Sequence, residues 1–184
     1  MAQIADLAAA ALDTERVCLV ASALSGVTNL LVEAAESASR GEEPEPAERA
    51  YLERHLKLAA ELGLEGTGLN ETLAALAREL GKLLRGVSLL QECSGPVRAM
   101  LGAFGERASC SILAAFLRSR GLPVRLLDPR ERVLCEGDPM EANPRMDAIH
   151  AAFDDLSAAP DRRLMLQGFV GGDASGRTDL LGRG

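Results

Sequence analysis

Two hydrophobic periods run through the chain: short apolar runs of strand length, and longer segments whose apolar residues recur every three or four positions. Residues 2–12 have helical composition, and the run at 16–21, containing Val17, Cys18, Leu19 and Val20, predicts a strand buried on both faces. Ser22, Ala23, Leu24, Ser25 and Gly26 follow as a small-residue loop, and the spacing over 27–39 predicts an amphipathic helix. The acidic, proline-bearing stretch 41–46 reads as an exposed connection. Helices are then expected over 47–62 and 69–93, the second carrying Leu73, Leu76, Leu80, Leu83, Leu84 and Leu90 at helical spacing. These two form a helical insert over about 41–94, whose leucine stripe and charged face are explained by packing and solvation without a cofactor. Ser94 is placed to cap the next helical stretch, with Pro96 in its first turn, and a further helix runs to Arg120 and stops at Gly121. A second buried strand is expected at 124–127, a helix from Asn143 to about Leu156, and a third strand at 163–167 leading into Gly168, Phe169, Val170, Gly171 and Gly172. Strands alternating with helices predict an α/β fold, a mainly parallel sheet flanked by helices. The alternation runs to the last residues, 180–184, and reads as a pattern cut short.

Composition narrows this picture. A length of 184 residues with 47% hydrophobic content suits one domain with a real core. Aromatic residues make up 3% and tryptophan is absent, so Leu, Ala, Val and Ile must build that core. A net charge of -7 disfavours the basic stripe that nucleic acid requires, and no nucleic-acid partner is expected. Apolar runs such as 113–117 are too short to cross a bilayer, and the first twelve residues lack a basic region. No membrane partner is expected, and a cytoplasmic location is the default. Cys18, Cys93, Cys110 and Cys135 are widely spaced, with only His55 and His150 as imidazoles. Buried reduced thiols are expected, without a metal site or disulfides.

Open parallel sheets bind ligands at the carboxyl ends of their strands, which directs attention to the loops after Ala21 and Gln167. Small residues there (Ser25, Gly26, Gly168, Gly171) let backbone N–H groups approach an anion, and the helix beginning near Val27 adds its positive end. Ordinary turns use the same residues. Glu106, between Gly105 and Arg107 in an otherwise apolar helix, is suited to hold an ammonium group, although a surface ion pair with Arg107 would explain it equally well. Arg183, flanked by glycines, is suited to grip a carboxylate with two parallel hydrogen bonds, or else is a solvated terminal arginine.

Taken together these segments form a specific pattern. The run from Ser22 through Gly26, Val27, Thr28, Asn29, Leu30 and Leu31 resembles the loop and helix start after the second strand of aspartate kinases. Gly105, Glu106, Arg107, Ala108 and Ser109 resemble their second signature, and Gln167, Gly168, Phe169, Val170, Gly171 and then Leu181, Gly182, Arg183, Gly184 resemble the third and fourth. The stretch 121–128 and the helical insert are also similar, so the resemblance covers nearly the whole chain. It implies the amino-acid-kinase fold and transfer of the ATP γ-phosphoryl group to the side-chain carboxylate of L-aspartate, the first step towards lysine, threonine and methionine. MgATP and L-aspartate are the implied partners. By position, Thr28 and the backbone from Ser22 and Ala23 to Gly26 would face the reacting groups, Glu106 would bind the α-ammonium, Phe169 would wall the pocket, and Arg183 would clamp the α-carboxylate.

The sequence also departs from that pattern. Aspartate kinases open with a strand reading Lys-Phe-Gly-Gly-Thr or similar, and nothing before Arg16 resembles it. After the glycine matching Gly184 they continue with Gly-Ser-Asp, a nucleotide-holding segment and regulatory ACT domains. The expectation is therefore a partial catalytic domain, truncated at both ends and without the family's catalytic lysine and aspartate, that binds aspartate but does not phosphorylate it unaided. A non-catalytic aspartate-binding protein, or a subunit completed by a partner chain, is the alternative. A kinase for glutamate or a nucleotide monophosphate fits the insert and the Glu106 signature less well. Unpaired edges of such a sheet leave a homo-oligomer open to it.

Overall fold

The computed structural model describes residues 17–157 and 163–182. The helix expected over 2–12 and the residue Arg183 lie outside them. In order, the elements are β1 (Val17–Ala21), α1 (Val27–Ser39), α2 (Glu45–Glu61), α3 (Leu69–Leu90), α4 (Gly95–Gly102), α5 (Phe104–Ser119), β2 (Arg125–Leu126), α6 (Pro129–Arg132), β3 (Cys135–Glu136), β4 (Asn143–Pro144), α7 (Met146–Ser157), β5 (Arg163–Gln167), β6 (Val170–Gly172) and β7 (Thr178–Leu180).

The fold is α/β. β5 lies between β1 and β2, and both neighbours run parallel to it, with Leu19 opposite Met165 and Val20 opposite Leu166. Two antiparallel pairs, β3 with β4 and β6 with β7, sit outside this sheet. The main core joins Leu31 of α1, Tyr51 of α2, Leu73, Leu80 and Leu84 of α3, Ile112 and Leu117 of α5, and Met165 of β5. α5 is buried at almost every position through its middle, as an element between the sheet and the α2–α3 pair must be. The opposite face of the sheet is covered by α7, where Leu156 and Phe153 meet Leu127, Leu164 and Leu166.

Several expectations change here. β1 is not buried on both faces: Leu19 and Ala21 pack against the main core, whereas Cys18 is exposed and Val20 is 66% exposed. The register aligns Cys18 and Val20 with Leu164 and Leu166, but α7 packs over the β5 and β2 side of that face. Cys18 is thus a free exposed thiol, Cys93 is half-buried, and Cys110 and Cys135 alone match the expected buried thiols. β2 is shorter than the expected 124–127, and both its residues are exposed, because it pairs with β5 on one side only. No helix begins at Asn143. Proline disfavours the helical region for the residue before it, and Asn143 and Pro144 instead pair with Glu136 and Cys135, so the helix starts at Met146. Residues Gly95–Ser119 do form a stretch long and apolar enough to cross a bilayer by length and composition. Most of it is buried inside the fold, and it is broken at Ala103 into α4 and α5.

Candidate functional site

The loop after β1 ends in a left-handed glycine. Gly26 has φ 77° and ψ −4°, a conformation costly for residues with a Cβ, and it turns the chain so that Val27 N–H donates to Leu24 O at 3.0 Å and α1 begins. No side chain among the described residues caps α1, so with the Val27 N–H bonded to Leu24 O, those of Thr28 and Asn29 are left to face an anion. Arg54, from α2, donates from Nη2 to Ser25 O at 2.7 Å, and a Cβ at Gly26 would sit 3.1 Å from that nitrogen.

Glu106 belongs to the first turn of α5 and is only 6% exposed. Its Oε1 accepts the Ala23 N–H at 3.3 Å, joining the helix to the loop. Arg107 does not pair with it but makes a two-pronged bond to Glu79 at 2.9 and 2.8 Å and lies over the Phe104 ring. The surface ion pair between Glu106 and Arg107 is thereby excluded. Burial pushes the Glu106 carboxyl above the ordinary glutamate range, and hydrogen bonds from its own amide and that of Ala23 offset part of the rise. Burial, then the nearby Glu106 charge, pushes the Cys110 thiol up to about 12. One turn along, Ser109 Oγ donates to Ser22 O at 2.7 Å. Helix and loop can approach this closely because of Gly105, where a Cβ would lie 2.6 Å from the Ala23 Cβ.

At the end of β5, Gly168 N–H donates to Ala21 O at 2.9 Å, and a Cβ there would be 3.3 Å from Ser22 Oγ. Phe169 follows with φ 63°, an uncommon conformation for a bulky residue, held by Leu181 N–H donating to its carbonyl at 3.0 Å. Phe169, Thr28 and Gly182 line one cavity of about 480 Å³, together with Leu31, Val32 and Arg98. Gly171 is placed differently. A Cβ there would sit 2.5 Å from both Val133 O and Cys135 Sγ, so its missing side chain makes room for the neighbouring chain.

The structure therefore brings Ser22, Ala23, Glu106 and Gly168 together, and it brings Thr28 and Phe169 together in a cavity that also includes Leu101 and Gly102 at the end of α4. The Glu106 side chain itself faces Ala23 rather than lining that cavity. A second cavity of about 390 Å³, bordered by Phe104, Arg107, Asp128, Arg130 and Thr178, contains none of the predicted site residues.

The sequence profile of the amino acid kinase family matches residues 1–184. This chain belongs to the amino acid kinase family. Among its relatives, the aspartokinase of Chlamydia trachomatis serovar D is 29% identical over 166 residues, covering 90% of this chain and 36% of that protein. The aspartokinase of Chlamydia muridarum is 30% identical over 168 residues, with the same two shares. The bifunctional aspartokinase/homoserine dehydrogenase of Haemophilus influenzae is 26% identical over 174 residues, 92% of this chain and 21% of that one. This family member thus spans about a third or less of the length of these relatives. Among solved structures, E. coli aspartokinase III in complex with aspartate and ADP superposes with a TM-score of 0.74 at 25% identity, over 98% of this chain and 39% of that one. Clostridium acetobutylicum aspartate kinase gives 0.73 at 14% identity, over 99% and 38%, a likeness of fold.

Some residues around the candidate site of this amino acid kinase family member were not singled out from the sequence. Ser109 falls inside the Gly105–Ser109 signature but carried no assigned role. Arg98 places a cation on the larger cavity, and Tyr51 Oη donates to Phe104 O at 2.8 Å. Tyr51 is the single tyrosine of the chain, which is a usable signal, whereas Arg54 has no distinguishing local pattern.

Proposed function

We propose that this chain forms the aspartate-recognising part of an aspartate kinase, which transfers the ATP γ-phosphoryl group to the side-chain carboxylate of L-aspartate. The reading rests chiefly on the buried Glu106 carboxylate held against the Ala23 amide, at the base of a loop whose far end, Thr28, opens into the cavity walled by Phe169. A buried carboxylate in contact with the loop that leads to this cavity suits an ammonium ion better than water, because opposite charges attract more strongly where the effective dielectric is low.

Each residue then has a role. Glu106 receives the α-ammonium, Phe169 limits the cavity, and Arg183 clamps the α-carboxylate. Thr28 and the uncapped start of α1, with Ser22, Ala23, Ser25 and Gly26 before it, face the side-chain carboxylate and the incoming phosphoryl group. Gly168 keeps the end of β5 close to Ser22, while the packing around Gly171 makes it a support for that loop. In the reaction a carboxylate oxygen bonds to the γ-phosphorus as the bond to the β–γ bridging oxygen breaks, and ADP departs with that electron pair. Such transfer depends on positioning and charge neutralisation, to which N–H donors contribute. Mg²⁺ belongs to the proposal as the companion of the nucleotide phosphates, supplying positive charge there. The product would enter lysine, threonine and methionine formation, and a cytoplasmic enzyme fits that chemistry.

Calorimetric titration with L-aspartate tests this reading. Wild-type protein is expected to bind aspartate but not N-acetyl-aspartate, and Glu106→Gln should weaken binding about tenfold or more, the magnitude of a lost charge-assisted bond. Only the ionised carboxylate attracts the ammonium, so affinity should fall as pH drops through the raised Glu106 range, and Glu106→Gln should lose that dependence. Equal binding of aspartate and its N-acetyl form, or an unaltered Kd in Glu106→Gln, would overturn the assignment.

A further inference from the structure

We propose that α2, through Tyr51 and Arg54, is a positioning clamp that sets the spacing between the Ser22–Gly26 loop and the Glu106-bearing start of α5. The inference builds on the aspartate-binding reading and extends it to residues outside the four signature segments.

The observation is a closed triangle of hydrogen bonds. α5 is joined to the loop by Ala23 N–H donating to Glu106 Oε1 at 3.3 Å and by Ser109 Oγ donating to Ser22 O at 2.7 Å. The loop is joined to α2 by Arg54 Nη2 donating to Ser25 O at 2.7 Å. α2 is joined to α5 by Tyr51 Oη donating to Phe104 O at 2.8 Å, two residues before Glu106. Tyr51 and Arg54 are an i, i+3 pair on α2, so they are neighbours on one side of the helix. A single rigid element therefore holds both halves of the ammonium site by their main chains.

Packing supports a fixed geometry at the buried end. Tyr51 is fully buried, its ring meets Phe104 edge-on at 6.4 Å and tilts against His55 at 4.5 Å, and His55 Nδ1 donates to Tyr51 O at 2.7 Å. Burial raises the Tyr51 hydroxyl above its ordinary range, so it stays a donor across the working pH. The exposed end depends on Arg54, which makes no ion pair among the described residues; its contact with Ser25 O is therefore not a by-product of charge pairing. Its guanidinium also lies against Gly26, where the absence of a Cβ lets the planar group settle on the turn. A ligand that must find a carboxylate and backbone donors at set distances binds more tightly when those groups are held beforehand, because less conformational freedom is lost on binding.

Four variants test the clamp: Tyr51→Phe, Arg54→Ala, Arg54→Lys, and Lys57→Ala as an exposed control on the same helix. Two measurements are made on each, the Kd for L-aspartate by calorimetry and amide exchange of the Ser22–Gly26 segment by mass spectrometry. Tyr51→Phe and Arg54→Ala are expected to weaken aspartate by roughly three- to tenfold, as the loss of one hydrogen bond predicts. Exchange in the loop should rise in Arg54→Ala, while Arg54→Lys restores most of the affinity and protection and Lys57→Ala behaves as wild type. A role confined to stability would instead lower the melting temperature and leave the Kd of the folded protein unchanged. With aspartate bound by the wild type, unchanged affinity in both Tyr51→Phe and Arg54→Ala overturns the clamp and leaves the aspartate reading standing. If the wild type binds no aspartate, that reading fails by itself, and the exchange measurement decides the clamp: faster loop exchange in Arg54→Ala supports it, and wild-type exchange overturns it.

Discussion

Burial disfavours the charged form of a side chain, which acts in opposite directions on an acid and a base. In Glu106 the disfavoured form is the anion, and under the proposed function an arriving ammonium would compensate for the lost hydration. His55 presents the other case. It is fully buried on α2, its Nδ1–H is committed to Tyr51 O, and Nε2 has no hydrogen-bond partner among the described residues. Burial lowers its pKa, and the nearby Arg54 charge adds to the effect while the bond to Tyr51 O opposes it. The unfolded chain takes up this proton near the ordinary value of about 6.5, whereas the folded chain resists it to lower pH. The His55 contribution to stability is therefore complete above about pH 6.5 and is lost as pH falls from there through the lower folded-state value. Thermal unfolding followed from pH 7.5 to 5 should show the midpoint falling with acidification, and His55→Leu should show a shallower fall. A wild-type slope in His55→Leu would mean that other groups carry the acid sensitivity.

Elements approach each other here through small residues. α5 reaches the loop because Gly105 presents only hydrogen to Ala23 and Val27, and α4 reaches β7 because Gly102 does the same towards Leu180. The two positions differ in what would have to move. At Gly102 the nearest atom is the end of a leucine side chain, whereas at Gly105 it is the Cβ of Ala23, fixed to the loop backbone. Gly105→Ala is therefore expected to cost about 1–3 kcal/mol, the range for overpacking a filled interior. Urea unfolding should show a lower midpoint with an unaltered slope, and an unchanged midpoint would mean the loop shifts freely. The same scale shows which elements can be read from a sequence. The 13 residues of α1 and the five of β5 have the predicted bounds because each repeats its pattern long enough to be recognised. β3, β4, β6 and β7 have two or three residues each, too few for any alternation, and their pairing depends on distant segments.

Across the whole molecule, apolar burial is unevenly shared. One large cluster unites α1, α2, α3, α5 and the sheet, while Leu127, Leu156 and Leu166 form a small one under α7 and Ala99, Ala103, Val170 and Leu180 another beneath the β6–β7 pair. Regions with few buried apolar contacts open locally at lower free energy. Native-state amide exchange should therefore be slowest in α3 and α5 and faster in α7 and the β3–β4 pair; uniform protection would show that the fold opens as a single unit. This distribution also separates two sources of information. The sequence by itself determined the α/β class and the helix and strand order, because periodicity and local turn chemistry are properties of neighbouring residues, while its resemblance to aspartate kinases is what picked out the segments carrying Ser22, Thr28, Glu106 and Phe169. Only the tertiary structure decided that Glu106 meets the Ala23 amide instead of Arg107, that one face of β1 stays exposed, and that Tyr51 and Arg54 of α2 bond to Phe104 and Ser25, 53 and 29 residues away along the chain. Contacts of that separation depend on how α2, α5 and the loop after β1 pack together, and no local pattern encodes them.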